Sequence, residues 1–266
     1  MQANRMQLTT NLSDPLLELL RDGPVPIDGV EVGPWFTVRE IRAYRQMLPD
    51  LPFTFHGGDR IQNVGLIPGA VRRIAAYLCC TGSPWVSMHL TAWLPGMVWI
   101  MLRHGWRMPL PVPDRAMGRL IRQVKRLSRS LPVPVLLENI PPLPFDGYHF
   151  EAETKRITSV IERTGCGLVL DIGHARVSAD RLGMDVHDYL TDLPLERVVQ
   201  VHVSGVRERG GGLTDAHEPL QPADYGLLRY VLDRTHPQMV TLEYVRERDA
   251  LLEQLVHLRD LLGSAS

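Results

Sequence analysis

The chain has 266 residues, 44% hydrophobic and 22% charged, with 29 basic and 30 acidic side chains and a formal charge of −1. That balance excludes disordered, collagen-like and coiled-coil classes. It also supplies no net basic field for wrapping nucleic acid. The length suits one large α/β barrel or two small domains.

No charged segment followed by an apolar run opens the sequence, so no signal peptide is expected. Cys79, Cys80 and Cys166 are odd in number and lack metal-site spacing; they read as small thiols in a reducing cytoplasm. The most apolar run, residues 90–102, is too short to span a bilayer and contains Pro95 and Gly96.

Short β-rich runs alternate with helical periods along the whole chain. The first expected strand is Met6–Thr10, before a helix opening at Ser13-Asp14-Pro15, where Ser or Asp caps and Pro takes the first turn. Strand two is Gly29–Val32, with a helix over Val38–Met47. Strand three, Phe53–His56, leads to a helix over Pro68–Cys80. Strand four is Trp85–His89, and its helix, Arg115–Ser130, follows a long connection. Strand five, Val133–Glu138, precedes a helix over Glu151–Arg163. Strand six, Gly167–Asp171, is followed by a helix near Asp185–Leu190. Strand seven is Val198–His202, with a helix over Ala223–Arg234. Strand eight, Met239–Glu243, precedes a closing helix over Asp249–Leu262. Eight β/α units are what a closed barrel needs, so residues 1–266 are expected to form a single (β/α)8 TIM barrel. The long connections Leu90–Asp114 and Val203–Pro222 should lie over its C-terminal face, where sites are built.

Strands three to eight end in His56, His89, Glu138, Asp171, His202 and Glu243, and His174, Asp215 and His217 lie just beyond strands. A lone histidine there is ordinarily a hydrogen-bonded structural residue, and a lone carboxylate ordinarily caps a helix or pairs with arginine. Parallel strands, however, bring all nine to one rim. Two carboxylates about 5 Å apart at an effective dielectric of about 20 repel by roughly 3 kcal/mol. Glu138, Asp171, Asp215 and Glu243 together therefore call for cations. Nine ligands suffice for three metals if one carboxylate bridges, and histidine with carboxylate but no cysteine suits iron, zinc or manganese.

At these residues the chain resembles the xylose-isomerase-like barrels that bind two or three metals, and its ligand order is similar to the endonuclease IV branch. Its wording resembles the multinuclear non-haem iron-dependent oxidative enzymes, the MbnB- and TglH-like family, from about Phe53 to Gly263. FHGG, WVSMHL, MPLPVP, LLENIP, GCGLVLDIGHARVSADRLGMDVHDYLTDLP, VQVHVSG, LTDAHEPL and TLEYV carry the likeness. The resemblance implies one metal on His56, His89 and Glu138. A second, bridged by Glu138, would rest on Asp171, His202 and Glu243, and a third on His174, Asp215 and His217. Glu138, Asp171, His202 and Glu243 would be the catalytic set, and Asn139 would orient a ligand or the substrate. Two departures stand out: Met88 replaces an acidic residue between Ser87 and His89, and His174 stands where the family more often has Asn.

The resemblance further implies two or three iron ions in mixed Fe2+/Fe3+ states, with Zn2+ or Mn2+ as alternatives. Molecular oxygen would be the oxidant, a ribosomally made precursor peptide the substrate and its cysteine the modified residue, with a partner protein delivering the peptide. Alternatives are an endonuclease IV-like tri-zinc phosphodiesterase, a metal-dependent sugar isomerase or epimerase, and a metal-free scaffold. The phosphodiesterase needs a basic surface. The stripe Arg119, Arg122, Lys125, Arg126 and Arg129 offers one but reads as a solvated helix face. The isomerase needs only one or two metals, leaving His174, Asp215 and His217 surplus. The apolar loop Leu90–Arg107, with Trp93, Met97, Trp99, Ile100 and Met101, is either a partner surface or core beneath the rim. His104, His149, His187, His236 and His257 read as surface or structural residues.

Overall fold

Alternation of inward and outward side chains builds the frame, which a computed structural model describes for residues 5–58, 69–91, 112–142 and 149–264. Eight parallel strands close in the order β1 (Gln7–Asn11), β10 (Met239–Leu242), β7 (Val198–Val203), β6 (Gly167–Asp171), β5 (Val135–Glu138), β4 (Val86–His89), β3 (Phe53–His56) and β2 (Gly29–Val32). Around them run α1 (Asp14–Asp22), α2 (Val38–Met47), α3 (Ala70–Thr81), α4 (Pro113–Ser130), α5 (Thr154–Thr164), α6 (Ile172–Leu182), α7 (Val186–Thr191), α8 (Pro222–Leu232) and α9 (Arg248–Ser264). The expected (β/α)8 barrel is present. Among the described residues no helix is long and apolar enough to cross a membrane.

The registers place Glu31 beside Thr54, His56 beside Ser87, His89 beside Glu138, and Asp171 beside His202. Because side chains alternate faces along a strand, one parity points into the barrel. It carries a small apolar cluster of Trp85, Leu136, Val169 and Met239, then the polar residues. The opposite parity, including Val30, Phe55, Met88, Leu137, Leu170 and Val201, packs with the helices into the main core. Met88 is therefore a core residue, and the side chain that replaces the family's acidic one faces away from the rim.

Three expectations need correction. The sequence pattern places no helix between β6 and Asp185, yet α6 begins at Ile172 without a connecting residue. Asp171 ends the strand and caps the helix at once, its side chain accepting from the His174 N–H at 2.7 Å. The connection 203–222 is a two-stranded antiparallel hairpin, β8 (Gly205–Arg209) and β9 (Gly212–Glu218), not a loop. Its two-residue turn is Gly210-Gly211, both at positive φ, the conformation such turns demand. The helix expected over Glu151–Arg163 divides into a 3-10 turn, His149–Ala152, and α5.

α4 buries Ala116, Met117, Leu120, Ile121, Val124 and Leu127 and leaves Arg122, Lys125, Arg126 and Arg129 exposed, with Arg119 half-buried. The basic stripe is thus an outer helix face. His149, His187, His236 and His257 are exposed. Most of the apolar loop 90–107, with Trp93, Trp99 and His104, lies outside the described residues.

Candidate metal centre

All nine sequence-derived residues meet on the C-terminal rim. Glu138 is the hub: its Oε2 lies 3.5 Å from His56 Nδ1 and 3.8 Å from His89 Nε2, while Oε1 lies 3.3 Å from His174 Nδ1 and 3.6 Å from His202 Nδ1. His202 Nδ1 is also 3.1 Å from Glu243 Oε1. Asp171 Oδ2 is 3.7 Å from His174 Nδ1. Asp215 Oδ2 touches His174 Nε2 at 3.3 Å and His217 Nε2 at 3.0 Å.

Two metal–nitrogen bonds of about 2.0–2.1 Å at a tetrahedral angle hold their nitrogens roughly 3.3 Å apart; His56 Nε2 and His89 Nε2 are 3.2 Å apart. Glu138 Oε2, Asp171 Oδ2 and His202 Nδ1 are buried with no hydrogen-bond partner among the described residues. Buried polar atoms are rarely left so, and cations in the groups His56–His89–Glu138, Glu138–Asp171–His174 and Glu31–His202–Glu243 would supply the missing partners. The donor set thus fits divalent or trivalent metal.

The imidazoles are held in place from behind. His174 Nδ1 lies 2.9 Å from the Asn139 carbonyl and His217 Nδ1 lies 3.2 Å from the Glu243 carbonyl. Carbonyls only accept, so each Nδ1 carries the proton and each Nε2 is presented to Asp215. Ser87 Oγ lies 3.0 Å from His56 Nδ1, and as a hydroxyl it can either donate to that nitrogen or accept from it. The Asn139 side chain clasps the Asp171 backbone, donating to its carbonyl and accepting from its N–H, both at 2.9 Å; it orients Asp171. Gly173 allows α6 to approach β7, since a Cβ there would lie 2.4 Å from Ser204 Oγ. Ser204 Oγ in turn donates to Asp215 Oδ1 at 3.0 Å. His217 has φ 45°, the one positive value among described non-glycine residues, a strain of the kind that collects at functional sites.

Charge sets the protonation states. Burial pushes the Asp171 carboxyl up to about 7, and Glu243, Glu138 and Asp215 add to the rise. Burial would raise Glu138 too, but His56, His202 and His89 hold it well below the usual carboxylate range. Burial likewise opposes ionisation of Glu243, yet His202 draws it down to about 2. Among the imidazoles, burial lowers His56. Burial also works against His202 and His174, but Glu31, Glu243 and Glu138 hold His202 well above its ordinary value, and Asp171 and Asp215 do so for His174. His217, against the same desolvation, rises to about 9 beside Asp215. Without metal, protons are the counter-ions of this rim.

One participant is missing from the sequence-derived set. Glu31, on β2 and fully buried, joins His202 and Glu243 in a group whose ligand atoms lie within 4.8 Å of one another. The sequence does carry a signal for it, a charged residue inside a four-residue strand, GVEV, that is otherwise apolar or glycine. Attention to strand ends alone overlooks it.

Over the cluster opens a cavity of about 820 Å³. His56, His89, Glu138, His174, Asp215, His217 and Glu243 form its floor, and Asn11, Trp35, Arg209, Val245 and Arg246 are among its walls. Trp35 is 58% exposed and Val245 47%.

A family model described as RiPP precursor modification enzyme MbnB/TglH/ChrH matches residues 37–262. A UPF0276 protein of Bordetella pertussis is 34% identical over 143 residues, which are 51% of this chain and 49% of that protein. The chain thus spans about half the length of that relative. A D-tagatose 3-epimerase-like protein shares the fold with a TM-score of 0.64 at 15% identity, covering 98% of both chains. Endonuclease IV from Thermus thermophilus does so at 0.57 and 20%, covering 97% of this chain and 99% of that one.

Proposed function

Because the chain belongs to the MbnB/TglH/ChrH family of RiPP precursor modification enzymes, we propose that it is a multinuclear iron-dependent enzyme that uses oxygen to oxidise a residue, cysteine in this reading, of a ribosomally made precursor peptide. The observation that carries the proposal is the rim itself, where three groups, His56–His89–Glu138, Glu138–Asp171–His174 and Glu31–His202–Glu243, could each hold an ion beneath a cavity. Asp215 and His217 adjoin them through His174 and Glu243. His56, His89 and Glu138 would hold one ion. Asp171, His202 and Glu243 would hold a second that shares Glu138, and His174, Asp215 and His217 a third. Bound iron would supply the one-electron and oxygen chemistry that protein side chains lack.

The chain's own residues then position and exclude. Glu138, Asp171, His202 and Glu243 would fix two adjacent ions at the cavity floor, so that substrate and oxygen meet in set geometry. Trp35 and Val245 offer an apolar wall, and Arg246 and Arg209 sit beside it, both paired with Glu218. A reacting thiol would come from the peptide. Cys79 and Cys80 lie on α3, and Cys166, buried just before β6, has its thiol pushed up by burial. These free thiols suit a reducing cytoplasm. A separate protein delivering the peptide belongs to the same proposal.

A tri-zinc phosphodiesterase would use the same ligands, but its basic stripe lies on α4 in the outer ring, away from the rim. The deciding assay incubates the iron-loaded protein with candidate precursor peptides taken from the short reading frames that neighbour its gene, with and without oxygen, and reads each peptide's mass. A change that needs both iron and oxygen is the expected result. An unaltered peptide, alongside cleavage of abasic DNA by zinc-loaded protein, would replace the proposal with the hydrolytic one.

A further inference from the structure

His202 differs from the neighbouring imidazoles. His56, His174 and His217 each set Nδ1 against an oxygen of Ser87, Asn139 or Glu243 at the rim, with a rim carboxylate 3.3–3.7 Å from the same nitrogen. His202 turns Nδ1 to the cluster, 3.1 Å from Glu243 Oε1, and sends Nε2 down into the barrel, 3.5 Å from Glu31 Oε1. Both residues are fully buried, and among the described residues Glu31 Oε1 and His202 Nδ1 both lack a hydrogen-bond partner.

Gln200 decides how this arrangement is protonated. Its amide oxygen accepts from Trp85 Nε1 at 3.0 Å, and an indole N–H can only donate, so the amide NH2 faces the other way. There it meets Glu31 Oε2 at 2.8 Å, Thr241 Oγ1 at 2.8 Å and His202 Nε2 at 2.9 Å. Two hydrogens cannot serve three acceptors. If Gln200 donates to His202 Nε2, the imidazole proton moves to Nδ1, where it blocks the only lone pair aimed at the rim. If Gln200 donates to Glu31 and Thr241, Nε2 carries the proton and the unpartnered Glu31 Oε1 accepts it. A small turn of the ring closes the 3.5 Å gap and relieves the approach of two donors.

The geometry points to Glu31 as the positioning residue that fixes the proton of His202 on Nε2 and frees Nδ1 for metal. This rests on the metal reading above. An anionic anchor also raises the basicity of the imidazole it holds. The role is confined to one imidazole and reaches the ion only through it.

The test loads wild-type protein and the Glu31→Gln and Glu31→Ala variants, the first of them isosteric, with Zn2+. It reads zinc per chain in competition with a chelator, and records 15N spectra of histidine-labelled protein, with His202 assigned by its loss in His202→Asn. In the wild type, His202 should show zinc on Nδ1 and a proton on Nε2. Glu31→Ala should weaken one zinc per chain by about 10–100-fold, and Glu31→Gln, whose amide oxygen still accepts, should recover part of that. Thr241→Val, which turns the second Gln200 hydrogen toward Nε2, should weaken the same ion. Zinc on Nε2, a proton on Nδ1, or variants that bind all zinc as tightly as wild type would overturn the assignment. So would equal weakening of every ion in a folded Glu31→Gln protein. A wild type that takes up no zinc or iron would overturn the metal reading, and this assignment with it.

Discussion

Glu138, Asp171 and His202 stand at the ends of β5, β6 and β7, at most 1% exposed, while Asp215 and His217 ride on the β9 hairpin with side chains 16% and 42% exposed. The same residue types thus serve on two kinds of support. The floor is fixed by eight mutually hydrogen-bonded strands, and its polar atoms have no water to fall back on, so a missing partner is costly. The edge depends on a two-stranded ribbon, a strained backbone at His217 and the close approach of Gly173 to Ser204. We therefore expect a tightly held floor and a more exchangeable third ion.

Glu138→Ala should show the largest effect. It removes the carboxylate facing His56, His89, His174 and His202, and should abolish binding of at least two ions. Removing one partner from a buried charged network costs about 3–5 kcal/mol, readable by chemical denaturation. Gly173→Ala reaches the edge without removing a ligand, although its Cβ would also lie 3.2 Å from Asp171 Oδ1. Its Cβ would meet Ser204 Oγ at 2.4 Å, so the third ion should weaken while stability falls by about 1–3 kcal/mol. His217→Ala should lose one ion and keep the floor, with a stability change under about 1 kcal/mol, as is usual for a half-exposed residue. If it strips every ion, the floor and the edge are not separable.

The comparison also has a pH signature. In metal-free protein the folded-state value of His217 is raised to about 9 from 6.5, and that of Asp171 to about 7 from 3.8. Groups raised on folding contribute stability below their unfolded values and lose it as pH climbs through the folded ones. The metal-free melting temperature should therefore fall between pH 6.5 and 9. Metal displaces those protons, so loaded protein should show a flatter profile and a larger gain from metal at pH 9 than at pH 6.5. A metal-free profile that rises over this interval would contradict the charge balance described. Trp35→Ala should have the smallest effect, weakening peptide binding while leaving the metal count and stability unchanged.

Much of this is legible in the sequence, for identifiable reasons. Apolar runs ending in one polar residue, such as GLVLD and VVQVH, encode both a buried strand and the rim position at its end. That is why β3, β6 and the ends of β4 and β5 emerge from the pattern, while β7 runs one residue past His202. α6 does not, because Asp171 serves two elements and no turn residue separates them. The β8–β9 hairpin does not, because GVRERGGGLTDAHE is polar on both faces and gives no alternation to read. Glu31 is missed because the lone acid in GVEV marks a buried charge but not its neighbour, which is set only when the closed barrel brings β2 within reach of β7. Spatial neighbours across the barrel leave no trace in local periodicity.

Metal analysis of protein isolated without oxygen, combined with Mössbauer and EPR spectroscopy, tests the central claim most directly. The account predicts two or three iron ions per chain with a mixed-valence signal, reduced by one ion in His217→Ala. Three zinc ions without iron, or no transition metal at all, would contradict it.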